Sequence, residues 1–155
     1  MPDSLRIEPA LLEDLPKLAD LLHDLFSQEA DFTPNRDKQL RGLRLILEQP
    51  ARGRIFVLRN ENYIFGMINL LITLSTAEGG FVLLLEDLII HTKHRRQGYG
   101  SRLLRHAMEF AQEKNFLRIT LLTDKPNEDV KRFFFREGFE VSDMIPLRMK
   151  FSAEK

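Results

Sequence analysis

Cysteine is absent from the 155-residue chain. That excludes disulfides, thiolate metal ligands and a cysteine nucleophile, so any group transfer must be direct or use another nucleophile. An excess of either charge is absent too: 23 basic and 23 acidic residues leave a formal net charge of zero. A general nucleic-acid binder carries a basic excess on one face, and that class is set aside. No apolar run can cross a bilayer; those around residues 63–74 and 81–90 fall short of the ~20 residues a spanning helix needs. The opening Met1-Pro2-Asp3-Ser4 lacks the basic and apolar regions of a secretory signal. A cytoplasmic location, without membrane contact, is the expectation. Repeats, low-complexity tracts and linkers are missing as well. One domain over residues 1–155 is expected, with a frayed tail at 152–155.

The apolar residues that are present fall into clear periods. A short strand opens near Arg6-Ile7. Asp14 is read as the cap of a helix with Pro16 in its first turn, and Leu15, Leu18, Leu22, Leu25 and Phe26 recur at helical spacing. That helix is expected to end near Gln28. After a loop at residues 29–34, Asn35 caps a second helix with Leu40, Leu43 and Leu47 as its buried stripe. Strands follow at residues 54–59, at 63–75 with a bend or bulge at Gly66, and at 81–90. The last is almost continuously apolar, which suits a strand buried on both faces, and only Glu86-Asp87 interrupts it. A basic glycine turn at residues 95–100 leads into a helix at 101–114, and a strand at 117–122 completes a βαβ crossover. Asn127 caps a short helix that Gly138 stops, and residues 139–141 and 147–151 read as closing strands. The fold class is α/β (α+β): a mixed, mostly antiparallel central sheet of about 6–7 strands with helices on both faces.

The chemistry centres on Arg95-Arg96-Gln97-Gly98-Tyr99-Gly100-Ser101, between a buried strand and a helix. Glycines allow a tight turn and a close ligand approach, and a helix N-terminus offers N–H groups and the positive end of its dipole. Together with two arginines and the Ser101 hydroxyl these make a pyrophosphate cradle. A G-x-G alone also fits a plain tight turn. The dinucleotide fingerprint fails at Leu103, and the G-K-[ST] of a P-loop is missing.

The segment resembles the R/Q-x-x-G-x-G/A motif of the GNAT superfamily of N-acetyltransferases. Leu85-Glu86-Asp87-Leu88-Ile89-Ile90 is similar to the matching stretch of diamine acetyltransferase-like members. Asn127, with Phe133-Phe134 and Gly138-Phe139 downstream, resembles the family's N-x(5)-F-Y-x-x-x-G-F segment, and the opening strand and helix also fit. The resemblance implies direct acetyl transfer from acetyl-CoA to a primary amine. Backbone groups of Leu88, Ile89 and Ile90 would pair with the pantetheine arm, and amides near Ile89–Ile90 would steady an oxyanion. Arg95, Arg96, Gln97, Gly98, Tyr99, Gly100 and Ser101 would hold the pyrophosphate. Asn127 would contact the cofactor near its thiol, and Phe134 would pack against it. Partners would be a small-molecule amine and, as in many similar proteins, a second copy in a homodimer.

Glu86 occupies the position where such enzymes carry a carboxylate. An amine acceptor is protonated in water, with a pKa of about 10.4 for a lysine-like group, and neutralising it at pH 7 costs roughly 4–5 kcal/mol. A carboxylate can take that proton; a solvent-facing or ion-paired Glu86 is the other reading, and Asp87 is a second, substrate-side candidate. Glu29 and Asp31, in the loop that borders the acceptor site of the resembling fold, would suit a cationic amine. One departure stands out: Phe134 replaces the tyrosine that protonates the leaving thiolate in the family, so the source of that proton is open. It also leaves room for an alternative, an acyl-CoA-binding or regulatory domain without turnover. His91 and His94 lie among Lys93, Arg95 and Arg96, a positive setting that repels cations, so no metal is expected and a solvated basic loop is the reading.

Overall fold

The computed structural model describes residues 4–26, 35–124 and 127–152, and only the backbone of Leu25 and Phe26. Residues Met1–Leu122 and Thr123–Lys155 form two units. The first contains β1 (Arg6–Pro9), α1 (Leu15–Phe26), α2 (Arg36–Leu47), β2 (Gly53–Arg59), β3 (Ile64–Ser75), β4 (Gly80–Ile90), α3 (Tyr99–Glu113) and β5 (Ile119–Leu121). The second contains α4 (Glu128–Arg136).

The sheet has the order β1-β2-β3-β4-β5. Neighbours are antiparallel except β4 and β5, which are parallel and joined through α3 as a crossover requires. Alternation along the strands assigns the two faces. Ile55, Val57, Met67 and Ile89 join Leu15, Leu18, Leu22 and Leu43 in a core beneath α1 and α2. Phe56, one residue out of phase, meets His106 and Phe110 of α3 at ring distances of 4.7 and 5.2 Å. Leu103, Leu104 and Ala107 of α3 are fully buried. Each such leucine contributes about 1.5–3 kcal/mol of burial, so both faces anchor the sheet.

Asn35 caps α2 as expected, accepting the Lys38 N–H at 3.1 Å. Asp14 does not cap α1. A 3-10 turn at Leu12–Asp14 precedes that helix, so the donor in need of a partner lies behind Asp14. Asp14 Oδ2 accepts the Leu11 N–H at 2.8 Å and the Arg59 Nη1 at 2.9 Å. Both side chains are nearly buried, at 4% and 12% exposure. Removing one member of such a pair strands the other charge, so Asp14→Ala is expected to lower stability by about 3–5 kcal/mol, read as a lower urea midpoint.

The irregularity expected at Gly66 falls on Phe65. Leu58 faces Gly66 while Arg59 faces Ile64, so Phe65 is the extra residue of β3. Gly66 has another reason to be glycine. A Cβ there would sit 2.5 Å from Ile90 Cδ1 and 2.7 Å from the Ile89 carbonyl oxygen. The second contact is backbone and can be relieved only by moving β4. Gly66→Ala is therefore expected to destabilise by about 1–3 kcal/mol, seen as a lower melting temperature.

In the second unit Asn127 Oδ1 accepts the Val130 N–H at 3.2 Å, and Gly138, at φ 106°, follows the end of α4. Phe134 is buried between Phe133 and Phe139, at ring distances of 5.1 and 5.4 Å. Residues 139–141 and 147–151, read as closing strands, are not strands, and the sheet has five strands rather than 6–7 among the described residues. Val141, Leu147, Met149 and Phe151 are all more than three-quarters exposed. An apolar segment becomes a strand only when its backbone finds a partner, and these two have none in the described ladder.

Candidate active site

The site is built on the outer edge of β4. β5 pairs only with Leu83, Leu84 and Leu85, so among the described residues no strand pairs with that side of β4 from Glu86 to Ile90. On its other side β4 carries a one-residue bulge. Asn69 lies opposite Asp87 and Leu70 opposite Leu85, which makes Glu86 the extra residue.

The bulge reverses which amides face outward. Before it, the Leu83 N–H donates toward β5, to Arg118 O at 2.9 Å. After it, the His91 N–H donates toward β3, to Phe65 O at 2.8 Å. Odd-numbered residues thus turn from β5 to β3 across Glu86, and Leu88 and Ile90 direct their backbone groups to the open edge. Ile89 turns its N–H toward β3 and its side chain into the core beneath α1 and α2. The Ile90 carbonyl accepts Arg95 Nε at 3.1 Å, which ties the following turn to the end of the strand. Glu86 is exposed, whereas Asp87 is buried and accepts Asn69 Nδ2 at 3.0 Å.

Beyond Ile90 the chain passes a short 3-10 turn and enters the basic segment. Arg96 and Gly98 both adopt left-handed backbone, at φ 64° and 81°. Such residues turn successive N–H groups inward and make an anion-binding concavity. α3 starts at Tyr99, two residues before the expected Ser101, because Gly98 itself is the cap. The first intrahelical bond runs from Arg102 N to Gly98 O at 3.1 Å, so the N–H groups of Tyr99 and Gly100 precede the helical ladder. Among the described residues beyond its chain neighbours, a Cβ on Gly98 would meet no atom within 4 Å, so the space above the turn is open. Arg95, Arg96 and Gln97 are exposed around it, and Ser101 is half-buried in the first helical turn.

The two histidines differ from the solvated loop read from the sequence. Both are half-buried. His94 packs edge-on against Phe65 and Tyr63 at 4.8 and 5.2 Å, Tyr99 meets Phe65 at 5.6 Å, and His91 Nδ1 accepts the Lys93 N–H at 3.1 Å. These rings buttress the turn from β3. Their partners are about 30 residues away in the chain, so no local pattern announces them.

Sequence reasoning also missed Asn69, whose only signal is a polar residue in an apolar run. Glu29 and Asp31 lie outside the described residues. Asn127 and Phe134 belong to the second unit and hold the helix-cap and core positions given above. Ser75 accepts the Glu78 N–H at 3.0 Å in the β3–β4 turn, at the opposite end of β4 from the glycine turn. Among the described residues no group of three or more His, Asp or Glu could hold a metal ion, and no helix is long and apolar enough to cross a membrane.

Known proteins are similar to this chain. An aminoalkylphosphonate N-acetyltransferase of Salmonella typhimurium is 29% identical over 133 residues, covering 86% of this chain and 83% of the relative. Among solved structures, the aminoglycoside N-acetyltransferase AAC(6')-Iy in complex with CoA superposes with a TM-score of 0.79 at 16% identity, covering 97% of each chain. An aminoglycoside acetyltransferase from an uncultured soil metagenomic sample, in complex with sisomicin, gives a TM-score of 0.74 at 23% identity, again covering 97% of each chain. At these identities the structural likenesses establish the fold. The profile of the acetyltransferase (GNAT) family matches residues 15–139, spanning the open β4 edge and the glycine turn. The chain therefore belongs to the acetyltransferase (GNAT) family and is an N-acetyltransferase with acetyl-CoA as its co-substrate.

Proposed function

We propose that this protein transfers the acetyl group directly to a small, cationic primary amine, with Glu86 receiving the amine proton. The observation that carries the reading is the unpaired edge of β4 running straight into the left-handed turn and the start of α3. An extended arm can add to that edge as a strand would, while a diphosphate rests on the amides of Tyr99 and Gly100 beside Arg95 and Arg96. Bound acetyl-CoA supplies an activated acetyl group. Leu88 and Ile90 aim N–H groups at the edge, and these are the donors for the negative charge that develops on the acyl oxygen.

Glu86 is the exposed carboxylate at the bulge, next to those donors in sequence and open to an acceptor. It removes the proton that keeps the amine from attacking. Phe134 has no proton to give, and a thiolate with a pKa near 8.5 leaves without help and takes its proton from water. The resemblance around Leu85–Ile90 favours a diamine, while the Salmonella typhimurium relative is named for aminoalkylphosphonates. Mixing the protein and acetyl-CoA with 1,4-diaminobutane, 2-aminoethylphosphonate or an aminoglycoside, and assaying free CoA, separates these classes. Release above background hydrolysis with one of them is the expected result; background release with all three overturns the reading.

A further inference from the structure

Two buried polar side chains face each other in the middle of the sheet. Asn69 on β3 is 3% exposed and Asp87 on β4 is 9% exposed. Asn69 Nδ2 donates to Asp87 Oδ2 at 3.0 Å, while Asn69 Oδ1 has no hydrogen-bond partner among the described residues. The neighbours in the same rows are apolar: Ile55 lies across from Asn69 on β2, and Met67 and Ile89 form the next row. Apolar residues at both positions would leave no acceptor unsatisfied, so the pair is a poor device for stability alone.

Its position suggests what it does. Glu86, the extra residue of the bulge, immediately precedes Asp87. Were the bulge lost, Glu86 would face Asn69, Asp87 would face Ile68, and every later residue of β4 would change face. Hydrophobic packing discriminates weakly between the two registers, because Leu88, Ile89 and Ile90 are near equivalents in size and polarity. Asp87 is not equivalent. In the slipped register its carboxylate would turn toward the α3 face, among Leu103 and Leu104, and lose the Asn69 amide.

We propose that Asn69 is a positioning residue: through Asp87 it locks the bulge at Glu86 and so makes Leu88 and Ile90, rather than Ile89, present their amides to the open edge. This rests on the acetyl-transfer reading above, in which those outward amides meet the acyl oxygen. The same outward amides pair with the extended arm of CoA, so losing the lock affects cofactor binding as well as turnover.

The test uses the full chain and CoA itself, with residue-resolved amide exchange as the direct readout. In the wild type the Leu88 and Ile90 amides exchange quickly and are protected by CoA, while the Ile89 amide is already slow. In Asn69→Leu the Ile89 amide becomes fast. CoA binds more weakly and no longer protects the Leu88 and Ile90 amides, and kcat with the best amine of the panel falls roughly 100-fold, the scale of an ångström-level misplacement. Should Asn69→Leu be too unstable to purify, Asn69→Leu with Asp87→Leu, in which apolar groups replace both members, carries the same measurement. The swap Asn69→Asp with Asp87→Asn keeps one amide and one carboxylate face to face and is expected to restore the exchange pattern and most of kcat. An unchanged pattern at residues 88–90 in Asn69→Leu overturns the proposal whatever happens to kcat. So does a swap variant as slow as Asn69→Leu. If instead the wild type releases no CoA with any amine, the acetyl-transfer reading fails, and the exchange pattern still reports on the register lock.

Discussion

Gly98→Asp is expected to abolish CoA binding while leaving the protein folded. The backbone there is left-handed, at φ 81°, and aspartate tolerates that region better than most residues, so the strain is about 1 kcal/mol. Among the described residues no atom beyond the neighbouring backbone lies within 4 Å of the new Cβ, so the added bulk meets chiefly what enters from solvent. The decisive effect is charge. A carboxylate about 4 Å from a phosphate in a partly screened site is repelled by roughly 4 kcal/mol, close to a 1000-fold loss of affinity. Gly98→Asn separates the contributions: it matches the shape and the backbone preference without the charge, and should lose only about tenfold. Thermal shift gives the readout. CoA at 100 times its dissociation constant adds about 2.7 kcal/mol of apparent stability to the wild type, and the same concentration should add nothing to the aspartate variant. Equal protection of both proteins would mean that the diphosphate sits elsewhere.

Glu86→Gln should lower kcat about 100-fold near pH 7, with the defect shrinking to a few-fold as the pH approaches about 10. The sign follows from the acceptor. Each unit of rising pH increases the unprotonated amine about tenfold until its pKa of about 10.4 is reached. At high pH the amine arrives ready to attack and the carboxylate has no proton left to remove. At neutral pH nearly every acceptor arrives charged. Glutamine keeps the size and polarity of the side chain, and the position is exposed, so stability should change by no more than about 0.5 kcal/mol. Measuring kcat against pH for both proteins decides the matter: two curves separated by a constant factor would remove Glu86 from proton transfer. The Gly98 and Glu86 variants also separate binding from turnover, since the first acts at the turn and the second at the bulge.

Much of the candidate site lies in one stretch of residue order, because its parts are local. Gly98 and the arginines before it, a strand ahead of them and a helix behind them are contiguous, and a helix N-terminus binds anions through its own first amides. The caps Asn35 and Asn127 act on N–H groups three residues away, and both were legible for that reason. Asp14 was misread because its carboxylate serves the Leu11 amide behind it and Arg59, 45 residues on. The basic loop is exposed as read, but the half-burial of His91 and His94 within it was not legible, since the rings they touch are on β3 and just before it. Residues 139–151 have the apolar content of strands and were read as such, but pairing is a property of two segments and one sequence window cannot supply it.

Residue order alone narrowed the class of chemistry: no thiol, no basic excess, and a glycine turn between a buried strand and a helix that resembles an acetyltransferase motif. It also placed a lone acidic pair on the strand that leads into that turn. Folding in three dimensions decided how the pair divides. The bulge leaves Glu86 exposed, sends Asp87 inward to Asn69, and turns the amides of Leu88 and Ile90 to the edge that β5 leaves bare. The reason is geometric. Side chains and amides alternate with a period of two along a strand, so a single unpaired residue exchanges inside for outside, and only the neighbouring strand can reveal where that residue lies.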